Sequence, residues 1–113
     1  MANTFRNKSS RNIGTVATQI GSYIVPNNTT TTTIGLSIAN VSNAHINVSA
    51  FVNEANNSNA NTFLIKNAPV PVGSTLVIVG GDQKVVLKTG DSIYLTSSAN
   101  TSVDAFMSIL ETT

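Results

Sequence analysis

The side chains that could carry out catalysis are few and are scattered along the chain. His45 is the only histidine, and a serine hydrolase would need it as the base that activates a nucleophile. Serines are abundant, yet no G-x-S-x-G turn presents one of them. Five carboxylates could move protons: Glu54, Asp82, Asp91, Asp104 and Glu111. We predict no catalytic residue and no enzyme activity, and His45 is interpreted as an ordinary residue at a strand edge.

Metal and cofactor sites find equally little support. The chain has no cysteine, which excludes thiolate zinc sites and disulfides. Calcium would need clustered carboxylates, and the nearest approach is Asp82 after Gly80–Gly81 together with Asp91 after Gly90. Glycine followed by aspartate is typical of turns, and Gly80–Gly81 lacks the lysine and helix of a phosphate-binding loop. No metal ion and no cofactor are therefore predicted.

Sugar binding by exposed aromatic rings is a third possibility, because many small β-sandwiches bind glycans. The chain has no tryptophan, which is the preferred platform for a sugar face. Phe51, Phe63 and Phe106 lie within predicted strands and are interpreted as core residues. Tyr23 and Tyr94 remain as candidate platforms. A carbohydrate-binding module is therefore kept as a less favoured alternative.

The composition indicates an unusually neutral surface. Only 10% of the 113 residues are charged, against about 25% in an average soluble domain. Asn, Thr and Ser replace the missing charge and together fill 43 positions, and the net charge is +1. Such a surface has little electrostatic repulsion between copies, which suits a protein that works in a crowded, repeated array. No secretory signal and no apolar run long enough to span a bilayer are present, so no membrane partner is predicted.

The basic charge at the start of the chain marks a candidate contact segment. Arg6, Lys8 and Arg11 lie in the first eleven residues, and no acidic residue precedes Glu54. Residues 1–11 show no apolar periodicity and are predicted to form an extended arm, with Phe5 as its one apolar anchor. Phe5, Arg6, Lys8 and Arg11 are the predicted partner contacts. An acidic protein neighbour, or simple solvation of these charges, is favoured over nucleic acid. Removal of residues 2–11 is expected to abolish attachment while the domain stays folded.

Residues 12–113 are predicted to form a single all-β domain. Ile34 to Asn40 and Ile46 to Asn53 alternate between apolar and polar residues with the period of two that is typical of half-buried strands. Asn53 to Asn61 is predicted to be the longest loop, and Asn67 to Gly73, with two prolines, a crossing outside any central ladder. About eight short strands follow one another, and no window has helical periodicity. We expect an antiparallel β-sandwich of immunoglobulin-like or jelly-roll type, between which the sequence alone does not choose.

Several stretches together resemble a family of small virion structural proteins of tailed phages, especially phages of marine cyanobacteria. The resemblance covers nearly the whole chain, and it lies in turn and strand patterns rather than in catalytic signatures. The stretches are Met1 to Asn7, Tyr23 to Pro26 with Ile34 to Asn40, Ala68 to Asp91, and Ser108 to Glu111.

The resemblance implies a repeated component of the virion exterior that is assembled in the host cytoplasm. A decoration (cement) protein on the head surface is the favoured role, and a neck, tail or fibre component is the alternative. The implied partners are other virion proteins, such as the major capsid protein or neck and tail proteins. The chain itself is expected to form a homo-oligomer, with a trimer as one form.

Overall fold

The computed structural model describes residues 2–113. These residues contain nine β-strands and one 3-10 turn. They are β1 (Asn3–Ile13), β2 (Thr18–Gln19), the 3-10 turn (Ile20–Ser22), β3 (Thr30–Asn40), β4 (Ile46–Glu54), β5 (Ala60–Val70), β6 (Thr75–Val79), β7 (Val85–Leu87), β8 (Asp91–Ser97) and β9 (Val103–Thr112). All strand pairs are antiparallel and they form two sheets, so the predicted all-β sandwich is confirmed. Within residues 2–113, no helix is long and apolar enough to cross a membrane.

The strands pair like one long hairpin that has been rolled up. β4 pairs with β5, β3 with β6 and β7, β2 with β8, and β1 with β9. Rolling also places β9 beside β3 and β8 beside β4, which gives the sheets β1-β9-β3-β6/β7 and β2-β8-β4-β5. Because β6 and β7 pair with successive stretches of β3, they fill one strand position, and the sandwich has eight positions. This is the jelly-roll arrangement rather than the immunoglobulin-like one.

The core lies between the inner faces of the two sheets and follows the alternation of the strands. In two of the central strands the buried apolar positions are Ile46, Val48, Ala50 and Val52 in β4, and Val103, Ala105, Met107 and Ile109 in β9. Burying one such large apolar side chain stabilises the fold by about 1.5–3 kcal/mol. A register shift of one residue would turn a whole set toward water, so this pattern specifies the pairing.

The segment predicted as an N-terminal arm is extended, and its described residues lie on the domain's own sheet. β1 is the edge strand of the five-stranded sheet and pairs with β9 from Asn3 to Ile13. Met1, the first residue of the predicted arm, lies outside the described residues. At the far end of the pair the Thr113 N–H donates to the Ala2 carbonyl over 2.9 Å. The missing apolar periodicity has a physical reason: of the residues of β1, only Ile13 is buried.

Two predicted connections are shorter than expected. The loop predicted from Asn53 to Asn61 is a tight hairpin, because β4 continues to Glu54 and β5 begins at Ala60. β5 also runs to Val70, so Pro69 lies inside a strand. Proline is tolerated there because β5 is the outer strand of the four-stranded sheet and has a partner on one side only.

Candidate interaction surface

The outer face of the five-stranded sheet carries apolar side chains in contact with solvent. The pairing register sets two rows of side chains across this face, and each row mixes apolar and small polar residues. The first row is Ser9, Phe106, Ser37 and Val77, and the second is Phe5, Leu110, Thr32 and Val86. Phe5 is 75% exposed, Val77 62% and Phe106 50%. A sheet face that only met water would normally be polar, so this face is a candidate interaction surface.

Phe106 stands between two shallow depressions on this outer face. One, of about 290 Å³, is lined by Phe5, Ile34 and Phe106 together with neighbouring polar residues. The other, of about 390 Å³, extends from Phe106 toward Arg11 and Asp104. The face therefore offers a projecting ring with hollows on both sides, a relief that a complementary protein surface can fill.

The predicted contact residues divide between the two sides of β1. Phe5 and Arg11 line the depressions on the outer face. Arg6 and Lys8 point to the other side, because successive side chains of a strand alternate. There Arg6 binds Glu111, and the Lys8 ammonium lies 5.4 Å from the centre of the Tyr23 ring. Two of the four predicted residues, Phe5 and Arg11, thus lie along the outer face, each at a different depression.

A partly buried polar network holds β1 against the sandwich. The Arg6 Nε donates to Glu111 Oε1 over 2.7 Å, and the Tyr23 hydroxyl donates to Glu111 Oε2 over 2.7 Å. Thr31 Oγ1 lies 2.7 Å from the same tyrosine oxygen. The network was missed at the level of sequence, although one signal exists: Glu111 continues the inward-facing alternation of β9. A carboxylate at such a position needs a cation or hydroxyl partner.

The same contacts shift the pKa values of both acids. Burial is the main cause that raises the pKa of Tyr23 to about 12, with the Thr31 bond acting in the opposite direction and Glu111 adding to the rise. The Tyr23 hydrogen bond, ahead of the Arg6 contact, lowers the pKa of Glu111 below its ordinary 4.5, and desolvation opposes this. The ionised carboxylate is therefore the form that the fold prefers.

A dependence of stability on acid pH follows from the lowered pKa of Glu111. Because the folded chain binds this proton less readily than the unfolded chain, the network's contribution is present above about pH 4.5 and is lost as the pH falls below it. We expect Glu111→Gln to lower the melting temperature at pH 7 and to differ less from the native chain at pH 3. Thermal unfolding of both proteins across this range measures the difference. A gap that stays constant with pH would contradict the assignment.

Close approach of β1 to the 3-10 turn depends on a glycine. The Gly21 N–H donates to Ser10 Oγ over 2.8 Å. Gly21 has φ +58°, and a Cβ there would lie 2.7 Å from the Cβ of Lys8. Any side chain at this position would both strain the turn and push β1 away.

The outer face of the four-stranded sheet carries a row of aromatic rings that pack against one another. Tyr94 and Phe51 are stacked with centroids 5.3 Å apart and planes 5° apart, and Phe63 follows at 5.3 Å with a tilt of 53°. Gln19 binds the Tyr94 hydroxyl at one end of the row, and the Lys66 ammonium lies 4.8 Å from the Phe63 ring centre at the other. We call the three rings and the two polar residues that flank them the aromatic row: Gln19, Tyr94, Phe51, Phe63 and Lys66.

The aromatic row corrects the interpretation of the phenylalanines. Phe51, Phe63 and Phe106 are not core residues, because all three lie on outer faces. Of the two tyrosines considered as sugar platforms, Tyr23 is buried and Tyr94 stacks on Phe51. With centroids 5.3 Å apart, the parallel Tyr94 and Phe51 rings stack with an offset, so each covers part of the other's face. The row stabilises the sheet, and Tyr94 shares its ring face with Phe51.

We expect Phe51→Ala to lower the free energy of unfolding by about 2–3 kcal/mol, since the central ring touches aromatic partners on both sides. Chemical denaturation measures this change. Phe106→Ala is the matched control, because Phe106 has no ring partner and should cost less than about 1 kcal/mol. Equal losses in the two variants would show that the stacking adds nothing.

The remaining polar sites have their groups engaged within the chain. A cleft of about 600 Å³ lies among the turns at one end of the sandwich and has no aromatic lining. Within it Asn56 Nδ2 donates to the Thr89 carbonyl, and Asp91 Oδ2 accepts from the Lys88 N–H. His45 Nδ1 accepts from the Val72 N–H. Within residues 2–113, no three His, Cys, Asp or Glu side chains lie close enough together to hold a metal ion.

Comparison with known proteins finds likeness in fold and none in sequence. No family model matches the chain, and no curated protein matches it. A protein of the disulfide-linked pili of Bacillus endospore appendages shares the fold with a TM-score of 0.58 at 10% identity, over 99% of this chain and 87% of that one. This chain has no cysteine, so it cannot form the disulfide links named for those pili.

Viral particle proteins share the fold as well. A chain of infectious bursal disease virus, Gx strain, matches with a TM-score of 0.59 at 11% identity, over 98% of this chain. A chain of the T13 particle of the same virus matches with a TM-score of 0.59 at 6% identity, over 96% of this chain. This chain spans 33% and 30% of those two. The shared fold is therefore one that occurs in subunits of viral particles and of pili, and no match to a phage family accompanies it.

Proposed function

We propose that this chain is a non-enzymatic structural protein of the exterior of a phage particle, and that it decorates the head surface. The observation that carries the proposal is the outer face of the five-stranded sheet, where Phe5, Val77 and Phe106 are exposed to solvent. A monomer gains nothing from these side chains in water, whereas a subunit docked on a protein surface buries them.

The composition supports a role in a dense array. A surface rich in Asn, Thr and Ser with a net charge of +1 lets many copies lie side by side without strong repulsion. The fold shared with viral particle proteins and a pilus protein agrees with this role, although fold alone does not determine function. The proposed partners are the major capsid protein and further copies of this chain, with a trimer as the proposed oligomer.

Immunogold labelling tests the position in the particle. An antibody raised against the purified chain is applied to particles of the virus whose genome encodes it. Gold particles spread over the head support decoration. Labelling confined to the neck, tail or fibres overturns the decoration role in favour of that alternative, and particles that carry no label overturn a virion role altogether. Particles made without the gene serve as the control for antibody specificity.

A further inference from the structure

β1 is attached to the sandwich mainly through its backbone. Ile13 is its only buried side chain, whereas the β9 strand beside it buries every second residue. Nine residue pairs join the two strands. Detaching residues 3–11 would therefore expose little apolar surface, but it would leave one side of a long strand unpaired. A strand must therefore pair with this side of β9. Burial in the hydrophobic core does not require that this strand come from the same chain.

The side-chain contacts specify the sequence of that strand. Glu111 accepts from the Arg6 guanidinium, the Gly21 N–H donates to the Ser10 hydroxyl oxygen, and the Tyr23 ring lies against the Lys8 ammonium. In each of these three contacts one group belongs to the sandwich and the other to β1. A strand with arginine, lysine and serine at alternate positions is required, and a second copy of this chain carries it.

A hinge lies at the end of the weakly held segment. The β1–β9 register shifts between Ser10 and Ile13, and Asn12 within this bulge has φ +57°. Ile13 itself is fixed, because it is buried and its carbonyl accepts from the Ser102 N–H over 3.0 Å. Residues 2–11 can therefore swing about Asn12 without disturbing the core once the hydrogen bond from the Asn12 N–H to Asp104 Oδ1, 2.9 Å long, is released.

The segment is long enough to reach a neighbour. Ten extended residues span about 33 Å, since a strand rises about 3.3 Å per residue. The two shorter dimensions of the molecule are 28 and 22 Å. A detached segment can therefore cross to the β9 strand of an adjacent copy.

We propose that β1 exchanges between copies of this chain, so that residues 3–11 of one copy pair with β9 of another. Every contact of the closed monomer is reproduced in the exchanged form, and only the connection at Asn12 changes. Side-by-side pairing of two β1 strands is the less favourable route to assembly, because it would bring Arg6, Lys8 and Arg11 of both chains together. This inference concerns two copies in solution and does not rest on the proposed place in a phage particle.

Disulfide trapping tests the exchange, since the native chain has no cysteine. Asn7 and Ser108 are Cα partners on the outer face. The single variants Asn7→Cys and Ser108→Cys, one of them carrying a mass tag, are mixed at high concentration and oxidised. Exchange predicts a disulfide between residue 7 of one chain and residue 108 of the other, detected as a mixed dimer and located by peptide mass spectrometry.

Two controls make the result decisive. The double variant Asn7→Cys/Ser108→Cys, oxidised at low concentration where the closed monomer prevails, must close a disulfide within one chain, which shows that the pair is folded and correctly placed. Asn53 and Asn61 are also Cα partners, but a tight hairpin joins them. A mixture of Asn53→Cys and Asn61→Cys should give at least tenfold less mixed dimer than the first mixture.

Arg6→Ala removes a contact that holds β1, so we expect the 7–108 mixed dimer to form several times faster in this background. The inference is overturned if the double variant closes its disulfide but the mixed single variants give no 7–108 link. It is equally overturned if the 53–61 mixture forms dimers as fast, because general unfolding would then explain both. A failure here leaves the immunogold result untouched.

Discussion

A Phe106→Ser variant should bind capsids roughly thirtyfold more weakly than the native chain. The exposed half of the ring becomes buried on docking, and losing a central aromatic anchor of this kind costs about 2 kcal/mol of binding free energy. The free energy of unfolding should change by less than about 1 kcal/mol, because the side chain has no aromatic partner and lies outside the core.

Co-sedimentation with capsids purified without this chain measures the binding. Phe63→Ser is the matched control, since Phe63 is 44% exposed on the opposite side of the sandwich. This control should bind like the native chain even though it loses part of the aromatic row. Equal binding by the Phe106→Ser variant and the native chain would show that the outer face of the five-stranded sheet is not the docking surface.

Removing residues 2–11 should lower the free energy of unfolding by about 2–4 kcal/mol and make the protein aggregate. The deletion removes most of the β1–β9 ladder, the Arg6–Glu111 ion pair and the Ser10 acceptor of the Gly21 N–H, each worth about 0.5–3 kcal/mol. The freed side of β9 becomes an unprotected edge that pairs with other chains. The same deletion tests the expectation from sequence that the domain stays folded without its arm.

Denaturant unfolding and light scattering measure the two effects. A synthetic peptide of residues 2–13 should restore stability when added in excess, because it supplies the same contacts from a separate molecule. Phe5→Ser is the control, since it alters only the solvent side of β1 and should leave the protein stable. A truncated chain that stays monomeric with the stability of the native chain would refute the account of β1 given above.

The strands that sequence predicts best are those whose two faces differ. β3 and β4 alternate apolar and polar residues because one face meets the core and the other meets water. β1 could not be recognised in this way, because its inner side is met by a carboxylate, a glycine and the face of a buried tyrosine instead of a hydrophobic core. The basic residues did mark the segment as one that makes contacts. They could not show that two of those contacts, those of Arg6 and Lys8, lie within the chain.

The phenylalanines escaped prediction for a related reason. An aromatic residue in a strand is usually buried. The local sequences around Phe51 and Phe106 are similar, so they do not show that the two rings have different surroundings. Only the pairing register shows that Phe51 meets Phe63 and Tyr94 across the sheet, whereas Phe106 meets Ser9 and Ser37. Register is a long-range property, and it decides whether an exposed ring stabilises its own sheet or stays free for a partner.

The hydrogen bond from Thr113 to Ala2 places the two described ends of the chain side by side. A few glycine and serine residues could therefore join them into a circle without moving either strand. Such a ring would tether β1 at both ends beside its own β9 and so hold the protein as closed monomers. New ends could then be opened in the hairpin loop between Glu54 and Ala60, which is the turn of the rolled-up hairpin. A protein fused at this loop would be attached far from the sheet edge at which β1 lies.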